Sequence, residues 1–183
     1  MIQQTGLFLF FDFNEAKKMA SATQENKNTS EEKVVRLVSH ARTISETDIV
    51  NFVNLVGLHE PLFIDMSYIS KHMEASHQKR FAPAPMIISV GMGLVATYVS
   101  KAIGELIKGE NIGAGGGLVG LEAKVKAAVH PGDTIRVELE ARIGDRTSRG
   151  YTIIELLHVV KNQHDVIVSE FTEKAIFMPP EAG

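Results

Sequence analysis

The sequence predicts an α+β domain in which one long buried helix is wrapped by an antiparallel sheet, and three observations carry that expectation. From Pro85 onward, Ile88, Met92, Val95, Val99, Ala102 and Ile103 recur at three- and four-residue steps, while Ser89, Gly91, Gly93 and Ala96 keep part of the same helix slim. Beyond it, apolar residues alternate over 119–129 and again over 135–143, the period of half-buried strands. Residues 151–160 are apolar on both faces, as a central strand is.

Each element has its own local reason. Residues 7–13 (LFLFFDF) are apolar but too short to cross a bilayer, and they lack the cationic start and small-residue cleavage site of a signal peptide. A cytoplasmic protein is therefore expected. Residues 21–33 (SATQENKNTSEEK) are polar and read as a linker, which divides the chain into an extension, 1–34, and a domain, 35–183. Ser45 and Asp48 form a capping-box start for a helix carrying Ile49, Phe52, Val53 and Val56, and Gly57 ends it. Pro61, Pro83 and Pro85 exclude one continuous helix over the next stretch, and Pro85 sits in the tolerated first turn of the long helix. His130-Pro131-Gly132-Asp133, Gly144-Asp145 and residues 162–165 turn the chain between strands. The last strand carries Val166, Val168, Phe171, Ala175 and Phe177 with one bulge. Gly115, Gly116, Gly117 and Gly120 fit the Gly-x-Gly-x-x-Gly string. A dinucleotide loop needs a strand before it and a helix after, whereas here the order is reversed, so a flexible loop is expected. One long helix held in such a sheet is the hot-dog arrangement.

Composition narrows the function classes. The 183 residues are 44% hydrophobic and 22% charged, the balance of an ordinary globular protein. With no cysteine, disulfides, thiolate metal sites and a cysteine nucleophile are excluded. Nineteen Lys and Arg against 22 Asp and Glu leave no basic arm, so neither nucleic acid nor a membrane is an expected partner. No His/Asp/Glu set has metal-site spacing, and no Gly-x-Ser-x-Gly elbow occurs.

Residues 52–65 (FVNLVGLHEPLFID), the His130–Thr134 turn (HPGDT) and the order of strands together resemble the MaoC-like acyl dehydratases, also called (R)-specific enoyl-CoA hydratases, over roughly residues 35–179. The resemblance implies a hot-dog fold, a homodimer formed through the sheet, and a pantetheine tunnel for acyl-CoA or acyl-carrier thioesters. It also implies a hydro-lyase role in fatty-acid metabolism, with no cofactor beyond the CoA or phosphopantetheine of the substrate. The family motif Gly-Asp-x-Asn-Pro-Leu-His, whose Asp and His manage one water, is altered here. Gly57 falls on its Gly, Leu58 on the Asp, Glu60 on the Asn, Pro61 and Leu62 on Pro-Leu, and Phe63 on the His. Neither Leu58 nor Phe63 can exchange a proton. A second family feature, a glycine N–H that holds the thioester oxygen at the head of the buried helix, falls on Ala84, whose own N–H could serve.

His59 and Glu60 are the nearest replacements for the lost acid–base groups, but the plainer reading, solvated residues of an exposed turn, is the favoured one. Asp65 is expected to cap the following turn. His72 and His77 fit a polar surface helix, His130 a strand-end turn, and His158 a hydrogen-bonded core histidine. Met86 and Met92 fit core packing. Three functions remain open at this level: an active lyase using His59 or Glu60, a non-catalytic thioester binder or partner subunit, and a thioesterase. The last needs an acid on the buried helix, and Glu105 lies near its far end.

Overall fold

The computed structural model describes residues 33–73 and 78–180; the apolar leader, the linker up to residue 32 and His77 lie outside them. Two strands that the hydropathy pattern does not announce open the domain, β1 (Val34–Val38) and the short β2 (Arg42–Thr43). Helix α1 (Glu46–Val56) begins with a full capping box, in which Ser45 and Asp48 bond each other's backbone, and it ends at Gly57 in the left-handed conformation, φ 68°. Two short helices follow, α2 (Pro61–Ile64) and α3 (Met66–His72), the second capped by the Asp65 carboxylate on the amides of Ser67 and Tyr68. Helix α4 (Ala84–Ile107) is the long one, at 24 residues. It is the one described helix long and apolar enough to span a bilayer, a composition that a core helix shares.

The sheet is antiparallel throughout, in the order β1-β4-β5-β6-β3, with β2 paired to the start of β4. Its other strands are β3 (Gly115–Val125), β4 (Thr134–Arg146), β5 (Thr152–Lys161) and β6 (Ile167–Phe177). β5 is central, as its two-sided apolarity predicts. Ile135, Val137, Leu139 and Ala141 of β4 share one buried face with Ile154, Leu156, His158 and Val160 of β5. Helix α4 covers that face with Met86, Ile87, Gly91, Leu94, Val95, Ala102 and Leu106, meeting β4 and β1 most. The result is an α+β hot-dog fold.

The glycine run corrects the sequence expectation. Gly115–Gly117 is the first part of β3, paired with β6 through a bulge, and not a flexible loop. A Cβ on Gly116 would lie 3.1 Å from Ile176 Cγ2, and Gly117 has φ 126°, so close approach and backbone conformation both account for glycine there. The strand also stops at Val125; the alternation through Val129 continues beyond it into the connection, where Ala127 N–H donates to the Val168 carbonyl.

His158 is fully buried, and its ring stacks on Phe171 with centroids 4.2 Å apart and planes 12° apart. Nδ1 lies 2.9 Å from the Leu156 carbonyl, which can only accept, so Nδ1 carries the proton of the neutral ring. Nε2 then presents its lone pair to Glu173 Oε1, 3.3 Å away. Two acceptors at that distance are favourable only with a proton between them. Burial lowers the His158 pKa to about 4 against the pull of the Leu156 and Phe171 backbone, and burial raises that of Glu173.

Two predictions follow from this packing. A Cβ on Gly91 would stand 3.0 Å from Phe171 Cε1 and 3.3 Å from Val160 Cγ2, whereas one on Gly104 would meet nothing. Gly91→Val should therefore lower unfolding free energy by about 1–3 kcal/mol in urea titrations, while Gly104→Ala should raise it by ~0.5–1 kcal/mol. Equal responses would contradict the close approach. The buried histidine binds its proton more weakly folded than unfolded, so its contribution is complete above pH 6.5 and is lost as pH falls towards 4, by about 3 kcal/mol. Glu173 acts in the opposite sense, contributing at low pH and losing that contribution as pH rises through its raised pKa. The histidine slope should accordingly be steeper in Glu173→Gln than in wild type; a flat Glu173→Gln profile between pH 6.5 and 4 would contradict the assignment.

Candidate functional site

The head of α4 has one amide to spare. Met86 and Ile87 both donate to the Pro83 carbonyl, at 2.9 and 3.2 Å, and Pro85 has no N–H. The Ala84 amide is left, among the described residues, without a backbone partner. It sits at the positive end of the helix dipole on an exposed residue. Ala82 N–H to the Val129 carbonyl, 2.8 Å, ties this point to the chain entering β4.

The loop after α1 lies beside it. Leu58 N–H donates to Val53 O at 3.0 Å and His59 N–H to Gly57 O at 2.9 Å, which closes a tight turn into α2. Phe63 is half-buried and meets Phe81 edge-on, with centroids 5.6 Å apart, and Phe81 in turn meets the His130 ring at 6.5 Å. Arg80 holds the loop in place: Nη1 donates to the Phe63 carbonyl, and Nε pairs with Glu46 Oε1 of α1 at 2.5 Å. Leu58 is half-buried too. His59 and Glu60 are exposed, and their side chains have no hydrogen bond or ion pair among the described residues. The two residues nearest the altered motif thus lie in solvent, while its two apolar positions are half-buried and Phe63 packs on Phe81.

His130 stands on that same aromatic wall, a placement that the turn pattern alone did not suggest. Its Nδ1 lies 2.9 Å from the Arg80 carbonyl, which fixes the neutral tautomer with the proton on Nδ1 and the lone pair on Nε2. Its backbone N–H donates to Asp133 Oδ2 at 2.7 Å. Burial alone would raise the Asp133 pKa, but the hydrogen bonds from Gln163 and His130 outweigh it and hold the carboxylate below its usual range.

The remaining candidates are dispersed. His72 is exposed on α3, its ring 4.3 Å from Tyr68. Glu105 is exposed near the far end of α4, about 30 Å along the helix from Ala84. Met86 is buried in the core and Met92 packs partly against it. No group of three or more His, Asp or Glu among the described residues could hold a metal ion.

No family model and no curated protein matches the chain. Solved structures do. The monoamine oxidase regulatory protein from Archaeoglobus fulgius superposes with a TM-score of 0.62 at 22% identity, over 81% of this chain and 90% of its own. A MaoC-like dehydratase from Rhodospirillum rubrum gives 0.59 at 19%, over 81% and 93%. The ChsH1–ChsH2 complex from Mycobacterium tuberculosis gives 0.54 at 18%, over 81% and 85%. The described chain has the α+β hot-dog fold that the MaoC-like dehydratases share.

Proposed function

We propose that this chain takes acyl-CoA or acyl-carrier thioesters as a protein of the hydratase and dehydratase class with an atypical site, in which the water-handling loop has become an apolar wall. The observation that carries the reading is the spare Ala84 amide at the head of a 24-residue helix, next to the Phe63–Phe81 wall. A thioester oxygen accepting from that N–H would develop its charge at the positive end of the helix, where a fixed donor stabilises it without reorganisation. The acyl chain would lie against Phe63 and Phe81, whose faces exclude water. What is missing is proton transfer: Leu58 and Phe63 offer no acid or base, and the exposed His59 and Glu60 are unanchored.

The reading includes a second copy of the chain. β3 is an edge strand with Leu118, Val119, Leu121 and Val125 exposed at 40–50%, and such an edge is stable when another strand covers it. A partner-subunit role is the second reading. The apolar loop favours it, and so does the fold shared with a two-chain complex, ChsH1–ChsH2; an active homologue would then cover the β3 edge. Light scattering separates the two, with a dimer of the purified chain expected and a clean monomer telling against self-pairing.

Crotonyl-CoA and longer acyl-CoAs should raise the melting temperature by mass action, and free CoA should do so less. No shift with any thioester would remove the reading. Wild-type hydration of crotonyl-CoA should be slower than that of a complete loop by ~10²–10⁴-fold for each missing acid–base group. Leu58→Asp with Phe63→His should raise it, and each single change should do much less because both groups serve one water. Brisk wild-type hydration abolished by His59→Ala or Glu60→Ala would show that the loop works through those residues instead.

A further inference from the structure

A cavity of about 340 Å³ beside Gly93 lies away from Ala84, and its Arg42 is already paired with Asp48. The aromatic wall at the head of α4 offers a free base instead. Of the described histidines, His40, His59, His72 and His164 are exposed and His158 is fully buried, whereas His130 is half-buried. Its Nδ1–H is bonded to the Arg80 carbonyl at 2.9 Å, so the lone pair of Nε2, on the far side of the ring, has no partner among the described residues. The Arg80 side chain reaches the other way, donating to the Phe63 carbonyl and pairing with Glu46. Backbone and side chain of one residue thus join the His130 ring to the altered loop. The ring meets Phe81 edge-on, at 81° between planes. The Asp133 carboxylate accepts the His130 backbone N–H at 2.7 Å, and its charge beside the ring favours the imidazolium.

We propose that His130 is the acid–base group of this site, its Nε2 moving one proton from water to the α-carbon of an enoyl thioester; this rests on the acyl-thioester reading above. Nε2 takes a proton from water, whose oxygen forms its bond to the β-carbon. The π pair of the double bond shifts onto the α-carbon and the thioester oxygen, where the Ala84 N–H meets the charge. The imidazolium then returns the proton to the α-carbon, so water is added across the double bond and the ring ends neutral. The span agrees. The Ala82 N–H to Val129 O bond, 2.8 Å, pins the chain just before His130 to the chain just before Ala84. Two residues at full extension cover about 7 Å, so the Ala84 amide lies within about 10 Å of the Val129 carbonyl. Two hydrogen bonds of about 3 Å each, an attack distance of about 3 Å and the enoyl group between them reach that far. An acyl chain laid against Phe81 has the His130 ring beside it.

The test uses the full chain and crotonyl-CoA, followed by thermal shift and by hydration. Crotonyl-CoA should raise the melting temperature of wild type and of His130→Asn alike, because an asparagine amide can keep the bond to the Arg80 carbonyl. Hydration by His130→Asn should fall by ~10²-fold or more in kcat, with KM little changed. His130→Ala should lose hydration as well and regain part of it with added imidazole, a rescue that a merely structural role would not give. In D₂O the hydroxyl and the deuteron should arrive on the same face of the wild-type product, since one ring handles both; this measurement needs no variant. Wild-type hydration no faster than buffer, opposite-face addition, or a His130→Asn protein that keeps the wild-type rate overturns the proposal and leaves the thioester reading standing. No thermal shift of the wild type with crotonyl-CoA or longer acyl-CoAs overturns both.

Discussion

The architecture depends on one close approach, that of α4 to the sheet at Gly91. Phe171 rises from β6 to within 3.0 Å of the place a Cβ would occupy, and His158, its partner on β5, stacks on the face of its ring. The helix backbone thus rests on the tip of the phenyl ring, and the imidazole of the neighbouring strand lies flat against that ring's face. Such interiors are close-packed and do not deform smoothly, so the height of α4 over the sheet is set at this point. The free amide at Ala84 and the cavity at Gly93 are both features of that helix, and their distances from the loop and from β2 follow from it.

The loop after α1 is ordered although its half-buried positions 58 and 63 are apolar. An ionisable pair beside Phe81 would have to be desolvated or paired, and burying charge is costly. Leucine and phenylalanine at 58 and 63 avoid that cost and add apolar contact. Position is then held by other means, with Arg80 bonded to the Phe63 carbonyl and paired with Glu46. Those contacts fix the backbone of the loop independently of the side chains at 58 and 63. The double replacement therefore keeps these backbone contacts, while two half-buried apolar side chains become ionisable and stability falls.

What could be read from the sequence was what local rules decide. The capping box at Ser45, the left-handed Gly57, the Asp65 cap and the period of α4 all depend on residues within a turn of each other, and the structure has each of them. β1 escaped because its five residues pair with residues 138–142, about a hundred positions away, and because Val34 and Val38, on the same face as Arg36, blur its alternation. The glycines of β3 were misleading because glycine is depleted in strands; their reason, contact with Ile176 and Phe177, lies in another strand. His158 could be read as a core histidine from its apolar neighbours, but its facing of Glu173 requires the β5–β6 register. Of the candidate site, Gly57, Leu58, Phe63 and Ala84 were picked out only by resemblance to a known motif. His130, Arg80 and the His40–Arg42 cavity wall were not, because the sheet and α4 bring them in from distant segments.

The two glycines of the first half of α4 separate packing from vacancy. They are two residues apart, so they point about 200° from one another around the helix. Gly91 faces Phe171, and any larger residue there meets the core. Gly93 faces open space, and in the single protomer an alanine would fit at no steric cost and favour the helix by about 1 kcal/mol. Helix propensity thus argues against glycine at 93, and packing within the described chain does not argue for it. In this Gly93 resembles Gly104, where a Cβ would likewise meet nothing. The volume beside Gly93 is lined by one guanidinium, one imidazole, the Ser89 hydroxyl and two aliphatic side chains.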